Sequence, residues 1–177
     1  TNVGGNFSIT LNDKLVSLNH FNNLISINGS LDISRNDSLI LLEGFSNLIK
    51  IAGNVNLDYH DHLKKINAFQ SIDSIGGATD ISNNPKLDSL FGFDNLDTLF
   101  GNLTISLNDA LKAQLAFGQV SIAEKSIIIS SNDSLNNLSG FSNLKTANLL
   151  SIFSNLALTS LDGLEALTKV NTNLTIR

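Results

Sequence analysis

Apolar residues recur along the chain at a spacing of 24 residues. One aliphatic column contains Ile9, Ile33, Leu57, Ile81, Ile105, Ile129, Ile152 and Ile176. A leucine column runs from Leu15 to Leu158, and a phenylalanine column contains Phe21, Phe45, Phe69, Phe93, Phe117 and Phe141, ending in Leu164. Such self-similarity is typical of repeat proteins, in which each unit buries its apolar edge against its neighbours. We therefore predict a single domain over residues 1–177, built from about seven stacked coils.

The pattern inside one coil predicts its local structure. Each coil opens with alternating apolar and polar residues, as in Phe7-Ser8-Ile9-Thr10, and a period of two indicates a strand with one buried face. The rest of the coil places apolar residues at every third position, as in Leu87, Leu90 and Phe93. A helix would alternate steps of three and four, so short extended segments and bends are favoured. The prediction is a right-handed parallel β-solenoid, with a one-residue deletion near Ala147 where one repeat is short.

Polar residues also form columns. An asparagine column contains Asn12, Asn36, Asn84, Asn108, Asn132 and Asn155, with His60 in that place in the third coil. We expect these amides to turn inward as a ladder that satisfies backbone groups within its own coil and in the next. A second set, Asn23, Asn47, Asn95 and Asn143, is predicted to cap another bend. An aspartate column, Asp13, Asp37, Asp61, Asp109 and Asp133, is interpreted as turn chemistry.

These motifs resemble a known family. The phrase Gly101-Asn102-Leu103-Thr104-Ile105, followed by Asn108, Leu111 and Phe117, is similar to the receptor L-domain-like type of leucine-rich repeat. The resemblance covers the whole chain and is closest to the type found in bacterial and fungal secreted surface proteins. It implies a location outside the cell or at its surface and binding through a sheet face. It carries over no catalytic residue.

Composition narrows the function classes. The chain is 42% hydrophobic and only 15% charged, with a net charge of −5, so a nucleic-acid partner is not expected, since phosphates need clustered Lys and Arg. The sequence contains no run of 18 apolar residues, so no membrane-spanning helix is predicted. There is no Cys, which excludes disulfides and thiol nucleophiles. No nucleophile elbow, P-loop or dinucleotide fingerprint occurs, so we expect a protein that is not an enzyme.

Candidate binding residues lie on the outward positions of the opening strands. The first outward column is Ser8, Asp32, Asn56, Asp80, Thr104, Ile128 and Ser151, and the second is Thr10, Ser34, Asp58, Ser82, Ser106, Ser130 and Phe153. Coils two to four therefore carry Asp32, Asn56, Asp58 and Asp80, with Tyr59 beside them. Carboxylates and amides around an aromatic ring suit a glycan or protein ligand, and their oxygens suit Ca²⁺. A solvated polar face with no ligand is the third interpretation.

The segment from Asp58 to His62 contains two of the three histidines. His and Asp can bind zinc, and a His–carboxylate pair can transfer protons. However, His60 falls in the inward column and His62 on the following turn, so we expect the two rings to diverge. We interpret His60 as a substituted ladder residue and predict neither a metal site nor a catalytic site.

Three functions remain open from the sequence. The first is a non-enzymatic extracellular recognition or adhesion module that binds a protein or glycan. The second is a structural component of a surface layer or filament, because the chain stops inside the strand of an eighth coil and end-to-end or edge association would cover that strand. That ending also leads us to expect a piece of a longer solenoid. The third is ice binding, which the mixed outward columns disfavour.

Overall fold

The computed structural model describes residues 1–112 and 116–177. Within them the chain is a stack of parallel coils of about 24 residues, because each strand pairs in register with a strand one repeat away, such as Ile33 with Leu57 and Leu57 with Ile81. The one helical segment in these residues is a single 3₁₀ turn, Ser139–Phe141. The predicted parallel β-solenoid is thus confirmed, and its handedness stays a prediction.

Eighteen strands are present in the described residues. In chain order they are β1 (Asn2–Val3), β2 (Phe7–Thr10), β3 (Ser17–Leu18), β4 (Ser26–Ile27), β5 (Leu31–Ser34), β6 (Leu41–Leu42), β7 (Lys50–Ile51), β8 (Val55–Asp58), β9 (Lys65–Asn67), β10 (Ser74–Ile75), β11 (Thr79–Ser82), β12 (Ser89–Phe91), β13 (Thr98–Leu99), β14 (Leu103–Ser106), β15 (Ile122–Ser130), β16 (Thr146–Phe153), β17 (Lys169–Val170) and β18 (Leu174–Ile176).

The strands form three parallel sheets, and each of the first four coils contributes one strand to each sheet. Sheet A contains β1, β4, β7 and β10, and sheet C contains β3, β6, β9 and β12. Sheet B has ten strands and runs from β2 through β5, β8, β11, β14, β15 and β16, with β13, β17 and β18 paired to its later strands. Sheet B carries the outward columns that the sequence singled out.

A glycine corner separates sheet A from sheet B in the first coils. A Cβ atom added at Gly101 would collide with the backbone of Gly77, one coil earlier, so only glycine fits there. Where Lys125 and Asn148 replace this glycine, the two strands of the coil fuse into the long strands β15 and β16. Their register shifts at this corner, since Ala123 pairs with Ala147 but Ser126 pairs with Leu149. The predicted deletion is therefore confirmed, next to Ala147.

The core is filled by the columns that the sequence predicted. Phe45, Phe69, Phe93, Phe117 and Phe141 are buried, and their ring centroids lie 5.2–5.7 Å apart along the stack. Three of the four neighbouring pairs are stacked and one is tilted. Stacked aromatic pairs contribute stability beyond simple burial. The inward aliphatic side chains of sheet B are buried from β5 to β16, whereas Leu174 and Ile176 of β18, at the end of the stack, are exposed.

The asparagine ladder is confirmed, and its geometry is directional. The Oδ1 atom of Asn108 accepts the backbone N–H of Asn84 at 3.2 Å, while its Nδ2 donates to the carbonyl oxygen of Ile81 at 2.9 Å. Asn36 makes the equivalent bonds and also donates to the carbonyl oxygen of Ser34 in its own coil. Each amide thus joins its own coil to the preceding coil, because its side chain leans back toward that coil. The sequence predicted bonds to the backbone of the next coil instead.

Two further ladders lie on the outside. The predicted second asparagine set is confirmed as a cap at three of its four positions, since the Nδ2 atoms of Asn47, Asn95 and Asn143 donate to carbonyl oxygens of the preceding coil at 2.6–2.8 Å. For Asn23, in the first coil, capping stays a prediction. An outer ladder at the sheet A–sheet B corner was not predicted. There, side chains accept the backbone N–H one coil later, and its members are Asn6, Ser30, Asn54 and Asn102.

The residue directly before each ladder residue has a left-handed backbone. Its φ lies between 54° and 60°, and the set is Leu11, Arg35, Tyr59, Asn83, Leu107, Ser131 and Ser154. None of the seven is glycine, although this region costs an ordinary residue roughly 1–2 kcal/mol. The bend turns the side chain of the left-handed residue outward at the margin of sheet B and sends the ladder residue inward.

Candidate functional site

The structure brings the five predicted binding residues together on β5, β8 and β11. Asp32, Asn56 and Asp80 form one row across the sheet, because Asp32 pairs with Asn56 and Asn56 pairs with Asp80. Asp58 lies two residues beyond Asn56 on the same outward face, and Tyr59 follows at the left-handed position. We call this group the acidic face.

The side chains of the acidic face differ in exposure. Asp32, Asn56, Asp58 and Asp80 are partly buried, because neighbouring strands in a flat sheet are only about 4.8 Å apart and shield one another. Tyr59 is 45% exposed and presents its ring to solvent. The face therefore combines sheltered carboxylates with one accessible aromatic ring.

Arg35 belongs to this site and was not predicted. Its Cζ atom lies 4.6 Å from the centroid of the Tyr59 ring, a cation–π contact between left-handed residues of adjacent coils. The signal was present in the sequence, since Arg35 and Tyr59 occupy the same position of successive repeats. The contact holds a guanidinium group beside the carboxylates.

Part of the outward face that the sequence predicted for sheet B is buried. In the second outward column, Ser34, Ser82 and Ser130 are buried, at 8%, 6% and 7% exposure. A serine side chain is too short to rise above its neighbours at the strand spacing of a sheet. The accessible part of coils two to four is therefore narrower than the sequence suggested, because Ser34 and Ser82 do not contribute to it.

Crowding of carboxylates changes the acidity of Asp58. Its pKa is raised from 3.8 to about 6 by burial, which is the largest cause, together with the charges of Asp80 and Asp32, while Arg35 acts in the opposite direction. In addition, the Oδ1 atoms of Asp32 and Asp80 are shielded and have no hydrogen-bond partner among the described residues. Repulsion and desolvation thus make this face less stable than a neutral sheet surface would be.

We expect Asp58→Asn to stabilise the protein at neutral pH by about 1–3 kcal/mol. Because the folded pKa of Asp58 lies above the unfolded value of 3.8, its contribution to stability is full below pH 3.8 and is lost as the pH rises through about 6. The difference between variant and wild type should therefore vanish toward about pH 4. Urea unfolding across this pH range measures it.

The matched control for this prediction is Asp73→Asn, which neutralises an exposed carboxylate outside the acidic face. We expect its effect on the free energy of unfolding to stay within about 0.5 kcal/mol. A stabilisation by Asp58→Asn that is as large at pH 4 as at pH 7, or one shared by Asp73→Asn, contradicts the assignment.

The two neighbouring histidines diverge as predicted. His60 is buried in the ladder, where its Nδ1 accepts the backbone N–H of Asn36 and its Nε2 donates to the carbonyl oxygen of Ile33, both at 3.1 Å. His62 is exposed, and its Nδ1 donates to the carbonyl oxygen of Asp37 at 2.9 Å. His60 is thus a substituted ladder residue.

The aspartates of the predicted turn column are exposed and lie at turns, which confirms their interpretation.

In residues 1–112 and 116–177, no group of three or more His, Asp or Glu side chains is arranged to hold a metal ion. Nor does this part of the chain contain a helix of the length and apolar character that a membrane span requires.

Comparison of the chain with models of protein families, with curated proteins and with solved structures gives no match. The resemblance to receptor L-domain-like leucine-rich repeats therefore stays a prediction.

Proposed function

We propose that this protein is a non-enzymatic recognition or adhesion module, which acts outside the cell or at its surface and binds a protein or glycan through the acidic face. The observation that carries the proposal is the gathering of Asp32, Asn56, Asp58 and Asp80 on three adjacent strands, with Tyr59 directly after the second of them. Repeat proteins bind along extended surfaces of this kind.

The chemistry of the acidic face supports a polar ligand. Carboxylate and amide oxygens accept hydrogen bonds from hydroxyl or N–H groups, and an exposed tyrosine ring provides apolar contact area at a low entropic cost.

Binding to arrays of purified glycans and extracellular proteins tests the proposal, with each array probed in Ca²⁺ and in EDTA. A ligand found in this way should bind at least about tenfold more weakly to Tyr59→Asn, which removes the ring. Asparagine is chosen because Asn83 occupies the same left-handed position, so the backbone is kept. The matched control is Leu107→Asn, the same change in a coil outside the acidic face.

Each outcome bears on the proposal. Loss of binding in Tyr59→Asn with retention in Leu107→Asn supports it, and dependence on Ca²⁺ would add a cation to the site. Equal binding by both variants, or no bound ligand on either array, overturns it.

A further inference from the structure

We propose that His60 makes the asparagine ladder acid-sensitive. Protonation of its ring breaks the hydrogen bond to Asn36 and weakens the contact between coils two and three beneath Asp58 and Tyr59. Both ring nitrogens of His60 are used by the ladder. Nδ1 accepts the backbone N–H of Asn36, and Nε2 donates to the carbonyl oxygen of Ile33. The ladder therefore requires the neutral ring with its proton on Nε2.

The other ladder residues have no such requirement. An amide carries an acceptor and a donor at every physiological pH, as Asn84 and Asn108 show with the same pair of bonds to the coil before them. A neutral imidazole reproduces that pair, but an imidazolium carries two donors and no acceptor. Protonated His60 would place an N–H against the N–H of Asn36 in a buried site, which leaves the backbone group unsatisfied.

The charged groups around His60 act in both directions. Burial lowers the pKa of His60 below 6.5 and outweighs the charges of Asp37 and Asp32, which act from the preceding coil and favour the protonated ring. In its own coil, Asp58 is partly buried on the outward face, and Asp61 and His62 are exposed on the turn that follows. From the following coil, Asn84 presents an uncharged Oδ1 that accepts the backbone N–H of His60 at 3.1 Å, and Asp80 lies on the outward face of β11.

The sign of the effect follows from the lowered pKa. A ring that resists protonation in the folded state contributes its full stability above pH 6.5, and this contribution is lost as the pH falls through the lowered folded pKa. Asp58 acts oppositely, because its proton uptake on acidification relieves repulsion on the acidic face. The two effects must be separated, so the test is made in the Asp58→Asn background.

The test is amide hydrogen exchange of the whole chain between about pH 7.5 and about pH 5, corrected for the intrinsic exchange rate. In Asp58→Asn, protection of the Asn36 amide should fall by at least about tenfold on acidification. In Asp58→Asn/His60→Asn it should not fall, because asparagine restores the common ladder residue. The matched control Asp58→Asn/His62→Asn changes the exposed ring and should behave as Asp58→Asn alone.

Two results would overturn the inference. One is an equal loss of Asn36 protection in the presence and absence of His60. The other comes from nitrogen NMR of the unsubstituted protein, which needs no variant to fold. A His60 ring that carries its proton on Nδ1 at about pH 7.5 excludes the proposed acid-sensitive contact. So does a ring that titrates without any change at the Asn36 amide.

Discussion

Asn108→Ala is expected to lower the free energy of unfolding by about 2–5 kcal/mol. The substitution removes three side-chain hydrogen bonds. The buried N–H of Asn84 and the carbonyl oxygen of Ile81 lose their side-chain partner, while the Oδ1 of Asn132 keeps the backbone N–H of Asn108. Each buried polar group left unsatisfied costs roughly 1–3 kcal/mol. Urea unfolding followed by circular dichroism measures the loss.

Two companion variants sharpen this expectation. Asn12→Ala acts at an exposed ladder position, where the side chain donates to the carbonyl oxygen of Thr10, and should cost less than about 1 kcal/mol. Asn108→His should keep most of the stability at pH 7.5, because His60 fills the same role with a neutral ring. If Asn108→Ala were no worse than Asn12→Ala, the ladder would not hold the coils together.

Phe93→Ala is expected to cost about 3–5 kcal/mol, the usual range for emptying a buried phenylalanine site. The ring of Phe93 lies 5.2 Å from Phe69 and 5.2 Å from Phe117, measured between centroids, and it is completely buried. A hole in the middle of the Phe spine cannot be closed by one neighbour, because both adjacent rings are fixed by their own coils. Thermal and urea unfolding give the free-energy change.

The control for the Phe spine is Phe100→Ala, since Phe100 is 43% exposed and lies outside the spine. It should cost less than about 1 kcal/mol. Phe93→Leu should fall between the two, because Leu164 replaces phenylalanine in the last repeat of the same column. Equal losses in Phe93→Ala and Phe100→Ala would show that the stacked rings do not dominate the core.

The fold could be predicted in detail because burial selects the same residue types at the same place in every coil. The columns through Ile81 and Phe93 give the period, the strand and the spine, and the column through Asn108 gives the inner ladder. The acidic face could be predicted for the same reason: two residues 24 positions apart in a parallel solenoid must lie side by side.

Other features escaped the sequence because they depend on backbone geometry or on the reach of single side chains. Residues as different as Leu107 and Tyr59 share the left-handed bend, so residue type gave no signal for it. The outer ladder mixes Asn6 with Ser30, which hides it among ordinary surface residues. Ser82 is buried because its neighbours in the sheet cover its short side chain. A pattern of apolar and polar residue types does not contain this information.

The fused strands β15 and β16 have a consequence for how such a chain can change its length. Their corner accommodates two residues, Glu124 and Lys125, opposite the single residue Asn148, and pairing resumes in register on both sides. A one-residue insertion or deletion elsewhere in a coil would turn every later inward side chain toward solvent until the next bend. The corner between β15 and β16 therefore accommodates a length difference of one residue, while changes of a whole repeat leave the ladders and the spine intact.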